Sequence, residues 1–342
     1  MAANGLNEIA KALVADDRGI LAADESSGTI EKRFDTIKLE STEENRRAYR
    51  DMLFTTPGLE DFVSGVILYD ETLRQSAADG TAFAKLLSDK GIIPGIKVDL
   101  GAKALAGAPG ETVTEGLDGL RERLVEYRGL GAQFAKWRAV IAIGEGIPTA
   151  YCIESNAHAL ARYAALCQEQ GIVPIVEPEV LMDGSHDIET CYRATKRTLH
   201  KVFDELYHQR IDLDGMLLKP NMVLSGKDCP TQASADEVAD WTLKCFGETV
   251  PSAVPGIVFL SGGQSDEQAT ENLNAINSRG PQPWVLTFSY GRALQAPALA
   301  AWGGSPEKVE AGQSFLALRA RNNSAAVAGR YTAAMEELAR ST

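Results

Sequence analysis

Lys219 follows the apolar run Met216-Leu-Leu and precedes Pro220-Asn221. A lysine drawn out of water or set beside another cation loses preference for its charged form, and the neutral amine attacks carbonyls to give a Schiff base. Lys136 and Arg138 stand two apart around Trp137. On a strand they share one face, where two cations call for an anionic guest or supply the neighbour that depresses a second amine. Glu177 and Glu179 flank Pro178 in the same way; two neighbouring carboxylates suit an acid–base pair, or they pair with Lys136 and Arg138. Asp24 heads Glu25-Ser26-Ser27-Gly28-Thr29, a candidate base beside a hydroxyl-rich turn, and Lys97 with Asp99 repeats the lysine–acid theme. Ser261-Gly262-Gly263 before Ser265, and Ser289-Tyr290-Gly291-Arg292, combine backbone donors, hydroxyls and a guanidinium, a pattern that suits phosphate.

Each of these groups ends a short apolar run, and eight such runs end at positions 24, 70, 97, 136, 177, 219, 261 and 289. The gaps each hold one crossover helix. Helix signals are present at Ser41-Thr-Glu-Glu, at Ser155-Asn156 before an Ala/Leu-rich stretch to Gln170, at Ser265 with Gln268, and at Ser305-Pro306. Eight β-then-α units predict an α/β fold, a single (β/α)8 TIM barrel over 1–342 with additional N- and C-terminal helices, the C-terminal extension spanning about 305–342. A doubly wound open sheet is the alternative; it gathers ligand at one switch point instead of loading every strand end.

The chain has 342 residues and a net charge of −13. So acidic a body repels nucleic acid and anionic membrane surfaces, and an anionic substrate needs a local basic pocket. No run of eighteen apolar residues or basic-then-apolar leader is visible, which predicts a cytoplasmic protein. Five cysteines without a C-x-x-C read as free thiols. The four histidines form no metal-binding spacing, so neither a metal nor another cofactor is expected. Asn322-Asn323-Ser324 fits a glycosylation sequon but lacks a secretory context.

Taken in order, Gly19-Ile-Leu-Ala-Ala-Asp-Glu-Ser, Gly95-Ile-Lys-Val-Asp, Phe134-Ala-Lys-Trp-Arg, Ile175-Val-Glu-Pro-Glu, Leu217-Leu-Lys-Pro-Asn-Met-Val, Phe259-Leu-Ser-Gly-Gly-Gln-Ser and Ser289-Tyr-Gly-Arg-Ala-Leu resemble class I fructose-1,6-bisphosphate aldolases, the metal-independent type. The resemblance runs from Gly19 to about Tyr331. It implies reversible cleavage of fructose 1,6-bisphosphate to dihydroxyacetone phosphate and glyceraldehyde 3-phosphate in glycolysis and gluconeogenesis. It places the Schiff-base lysine at Lys219, a proton-shuttling carboxylate at Glu177, an acid at the breaking bond at Asp24 and a supporting lysine at Lys136. The choice of base for the neighbouring hydroxyl stays open between Asp24 and Glu177. Ser261, Gly262, Gly263, Ser289, Gly291 and Arg292 fall at the phosphate nearest the reacting carbonyl. Ser26, Thr29, Arg33, Lys97 and Arg138 fall toward the other phosphate, with Thr29 in place of the family's usual serine, and Arg46 matches a further basic position. A homotetramer is implied by the same likeness. Many relatives end in a tyrosine that aids proton exchange; this sequence ends Arg340-Ser341-Thr342, and Tyr331 is assigned to the preceding helix. A Schiff-base aldolase for another phosphorylated sugar, and a protein-binding barrel scaffold, are the competing readings.

Overall fold

In the computed structural model, which describes residues 3–337, eight parallel strands close into a barrel in sequential order. They are strand one (Gly19–Ala23), two (Val63–Leu68), three (Ile93–Lys97), four (Phe134–Ile141), five (Val173–Val180), six (Leu217–Leu218), seven (Gly256–Phe259) and eight (Val285–Tyr290). All eight coincide with the apolar runs of the sequence. Strands four and five extend past the polar residues taken as their ends, so Lys136, Arg138, Glu177 and Glu179 are strand residues. The upper barrel layer is polar, and an apolar-run criterion therefore stops short.

The core has two main parts. Inside the barrel, Ile20, Ile67, Phe134, Val173, Ile175, Leu217 and Val258 meet Leu6 and Ala10 from the helix Ala3–Ala12, with Leu13 and Val14 just beyond it. That helix seals the end opposite the functional groups. Glycine is required where Phe134 fills the interior: a Cβ on Gly95 would stand 2.3 Å from its ring. The larger part lies between the outer barrel face and the helices, and includes Trp137 stacked on Tyr163 at 5.6 Å. This outward placement of Trp137 sends Lys136 and Arg138 inward, as strand alternation requires.

Helix starts are partly as expected. Thr42 and Ser265 cap their helices by accepting from Asn45 N and Gln268 N. The helix expected to start after Ser155-Asn156 instead begins at Ala150 under a Thr149 cap and runs to Glu169. Asn156 lies inside it, donating to Thr112 O and Cys152 O. A complete capping box forms at Ser234 and Glu237, where the sequence reading placed none. Ser305-Pro306 starts a single 3-10 turn before the long helix Val309–Val327. Asn322 is fully buried in that helix, which removes the sequon from reach. Tyr331 does not belong to the preceding helix, as the sequence led one to expect: that helix ends at Val327, and Tyr331 follows the turn at Gly329 as coil and donates to Glu336 Oε1 at 3.0 Å. The terminal Arg340-Ser341-Thr342 lies outside the described residues. No helix among the described residues is long and apolar enough to cross a membrane.

Candidate active site

A cavity of about 280 Å³ opens at the C-terminal ends of the strands. Seven of the eight polar positions line it: Asp24, Lys97, Lys136, Glu177, Lys219, Ser261 and Ser289. Asp70 does not. It starts a short helix and pairs with Arg74. In a closed parallel barrel the strand ends face one another, which is how residues spread over the whole chain share one chamber.

Lys219 extends the pattern of strand six: its N–H donates to Val176 O at 2.8 Å, and Pro220 next to it supplies no donor but accepts from Leu260 N. Its ammonium lies 3.2 Å from Glu177 Oε1. Lys136 Nζ stands 3.3 Å from the other oxygen of Glu177, 2.8 Å from Asp24 Oδ2 and 4.0 Å from Asp99 Oδ2. Lys97 completes the group, 2.7 Å from Asp99 Oδ1. Three ammonium groups thus face three carboxylates in a buried, near-neutral cluster. Burial works against the ionised form of Asp24, but Lys136 and then Lys219 outweigh it and hold this carboxyl well below the usual range. Burial likewise works against the Lys136 ammonium. Asp24, Glu177 and Asp99 overcome it and hold that lysine well above the usual range. Lys136 is therefore a fixed positive charge, and Glu177 bridges it to Lys219.

The second acid of strand five behaves in parallel. Glu179 pairs with Arg138, so both acids of this strand answer the two cations of strand four. Glu179 also lies under the strand-seven loop: a Cβ on Gly262 would stand 2.6 Å from its Oε1.

That loop and the next form a second zone. Ser289 Oγ is buried and has no hydrogen-bond partner among the described residues. Arg292 donates to Gln264 O and ties the strand-eight loop to the strand-seven loop. Ser261, Gly262, Ser289, Gly291 and Arg292 all border the cavity, together with Ser26, Thr29, Arg33, Lys97 and Arg138. Arg33 Nη2 lies beside Gly291, 3.5 Å from where a Cβ would be. Ser26 and Thr29 hydroxyls are 3.1 Å apart. Two expected residues are not brought to the wall. Arg46 spends its guanidinium on Glu71 and Ser41 O. Gly263, at φ 75°, packs toward Met182, which a Cβ would strike at 2.0 Å. Glu25 lines the cavity without having been assigned a task; its partners come from residues 33, 50 and 295, separations that carry no local signal.

Such an arrangement can form a Schiff base at a buried lysine, move protons beside it and hold anionic groups above it. Comparison with known proteins agrees. A family model described as fructose-bisphosphate aldolase class-I matches residues 5–342. A protein of Xanthomonas campestris pv. campestris, named probable fructose-bisphosphate aldolase class 1, is 59% identical over 97% of this chain and 99% of its own. Cytosolic fructose-bisphosphate aldolase 4 of Arabidopsis thaliana is 54% identical over 92% and 80%. The solved fructose-bisphosphate aldolase of Plasmodium falciparum, in a complex with TRAP and an inhibitor, superposes at a TM-score of 0.96 with 50% identity, covering 97% of this chain and 96% of that one. Lysine-centred chemistry, barrel and full-length likeness converge, and the chain belongs to the class I fructose-bisphosphate aldolase family.

Proposed function

We propose that Lys219 is the Schiff-base lysine of the reversible cleavage of fructose 1,6-bisphosphate, with Glu177, Asp24 and Lys136 as its proton and charge partners. The observation that carries this reading is the 3.2 Å approach of Lys219 Nζ to Glu177 Oε1, with Lys136 on the other oxygen. Glu177 takes the proton that frees the Lys219 amine. The amine adds to the C2 ketone, and Glu177 returns the proton to the resulting hydroxyl, which leaves as water. The iminium so formed draws in the electron pair of the C3–C4 bond. Asp24, which shares the Lys136 ammonium with Glu177, accepts the proton of the C4 hydroxyl as the bond breaks. Glyceraldehyde 3-phosphate departs, the enamine is protonated at C3, and hydrolysis frees dihydroxyacetone phosphate and Lys219. The fixed charge of Lys136 stabilises the developing alkoxide without taking part in proton transfer.

Ser261, Gly262, Ser289, Gly291 and Arg292 serve one phosphate. Ser26, Thr29, Lys97 and Arg138 serve the other, and Arg33, beside Gly291, stands near the boundary between them. The same reading makes the chain a single barrel domain, a cytoplasmic enzyme and a homo-oligomer, by likeness to its relatives. The test is borohydride reduction in the presence of dihydroxyacetone phosphate, followed by peptide mass spectrometry. A covalent adduct on Lys219 is expected, and none with Lys219→Arg. An adduct on another lysine, or no adduct on folded enzyme, overturns the assignment.

A further inference from the structure

Strand one delivers two acids in succession, and they go opposite ways, as successive residues of extended chain must. Asp24 faces Lys136 inside the barrel. Glu25 turns toward the helices Ser27–Asp35, Glu43–Phe54 and Arg292–Trp302. Its side chain is only 4% exposed. A carboxylate so far from water must have its charge answered and its oxygens bonded. Oε2 accepts from Arg50 Nη2 at 2.6 Å. Oε1 accepts from Gln295 Nε2 at 3.0 Å and pairs with Arg33 Nη1. Gln295 is itself locked, donating to Ala22 O at 2.7 Å and accepting from Tyr49 Oη at 3.0 Å. Arg50 is buried, lies over the Tyr49 ring and does not line the cavity. It has no route to a substrate there. Arg33 does line the cavity.

We infer that Glu25 is a positioning residue for phosphate binding: held from behind by Arg50 and Gln295, it fixes the Arg33 guanidinium at the cavity wall beside Gly291. The inference rests on the reading of Arg33 as a phosphate contact. A long flexible side chain anchored before the substrate arrives loses less freedom on binding. The charges also favour this use. One carboxylate faces two guanidinium groups, so one positive charge is left over, and a buried site screens it weakly. Without Arg50, Glu25 would neutralise Arg33 and leave no net charge to attract the incoming dianion. With it, the carboxylate holds Arg33 still and the assembly remains cationic.

Steady-state kinetics on Glu25→Gln, Arg33→Ala, the double variant and Arg50→Lys test this, with circular dichroism to confirm folding. Glu25→Gln is expected to raise KM for fructose 1,6-bisphosphate by about tenfold while kcat changes by less than about threefold, the mark of a weakened charge-assisted contact and not of lost chemistry. Arg33→Ala raises KM at least as much. In the double variant the Glu25→Gln effect disappears, because its only route is through Arg33. A Glu25→Gln effect that persists undiminished in the Arg33→Ala background overturns the inference, as does an unchanged KM or a fall in kcat alone. An Arg33→Ala enzyme with unchanged KM refutes instead the phosphate role of Arg33. Should Glu25→Gln fail to fold, Arg50→Lys decides. It keeps the charge and loses the fork, and is expected to raise KM by about threefold only while Arg33 is present. An equal rise without Arg33 overturns the positioning role.

Discussion

Replacing Lys136 by methionine isolates what its charge does. The side chain volume is nearly kept, and the ammonium vanishes from among three carboxylates. They are not equally hurt. Asp99 retains Lys97 at 2.7 Å and the N–H groups of Gly101 and Arg138. Glu177 retains Lys219 at 3.2 Å. Asp24 loses its one ion pair among the described residues and stays largely buried. Removing one member of a buried pair costs about 3–5 kcal/mol, which is the expected loss of stability at neutral pH. The loss must depend on pH. In the native protein Asp24 is depressed, so its contribution is present above the ordinary aspartate value of about 3.9 and disappears as pH falls below it. In Lys136→Met, burial acts with less opposition and the carboxyl is raised. Its destabilisation then begins near pH 3.9 and grows with pH, at up to about 1.4 kcal/mol per pH unit, until the new pKa is passed. Urea unfolding from pH 5 to 8, at one protein concentration and followed by tryptophan fluorescence, reads this directly. The gap between native and variant enzyme should widen as pH rises, and adding Asp24→Asn should flatten it. Catalysis should fall by about 10²–10³-fold, the usual price of deleting a preorganised charge at the reacting atoms. A gap that is constant with pH, or that narrows as pH rises, refutes the argument that Lys136 keeps Asp24 ionised.

Gly262→Ala places a Cβ 2.6 Å from Glu179 Oε1 and 3.0 Å from Leu260 Cδ1. It should raise KM for fructose 1,6-bisphosphate by about tenfold through displacement of the strand-seven loop, while borohydride trapping still marks Lys219; unchanged KM would separate this loop from phosphate binding. Gly95→Ala drives a methyl into the Phe134 ring at 2.3 Å and should lower stability by about 1–3 kcal/mol in urea unfolding, whereas Gly95→Ala combined with Phe134→Leu should recover part of it. A neutral single variant would show that the barrel interior has slack there.

The barrel was legible because each strand ends where apolar residues give way to groups that need water or each other. The same rule explains its errors. Strands four and five continue through Lys136 and Glu177 because those side chains pair across the barrel, so charge did not mark an end. Ser155 and Asn156 resemble a helix start by type, yet the cap is Thr149, six residues before Ser155, and Asn156 is used to bind Thr112 O. Arg46 carries the right charge, but it pairs with Glu71 at 2.6 Å and does not line the cavity. Among site residues, those on strands were found by their spacing of two. Glu25, Arg50 and Gln295 were not, since each is supplied by a different element and their meeting depends on how three helices pack.

The division of labour within one dipeptide follows from this packing. Asp24 and Glu25 are adjacent and alike in chemistry, the first largely and the second fully withdrawn from water, yet pleating turns one toward Lys136 and the other toward the wall. The inner cluster balances three ammonium groups against three carboxylates and has no surplus charge with which to attract a bisphosphate. The surplus lies in the outer zone, where Arg292 and the Arg33–Glu25–Arg50 assembly carry more positive than negative charge. On the proposed reading, a near-neutral interior would let Lys219 exchange protons with Glu177 at little electrostatic cost, and the cationic rim would draw phosphates through the field of an acidic protein. Moving the surplus inward would tighten binding of any anion, but it would also fix the protons that the proposed Schiff base at Lys219 has to release.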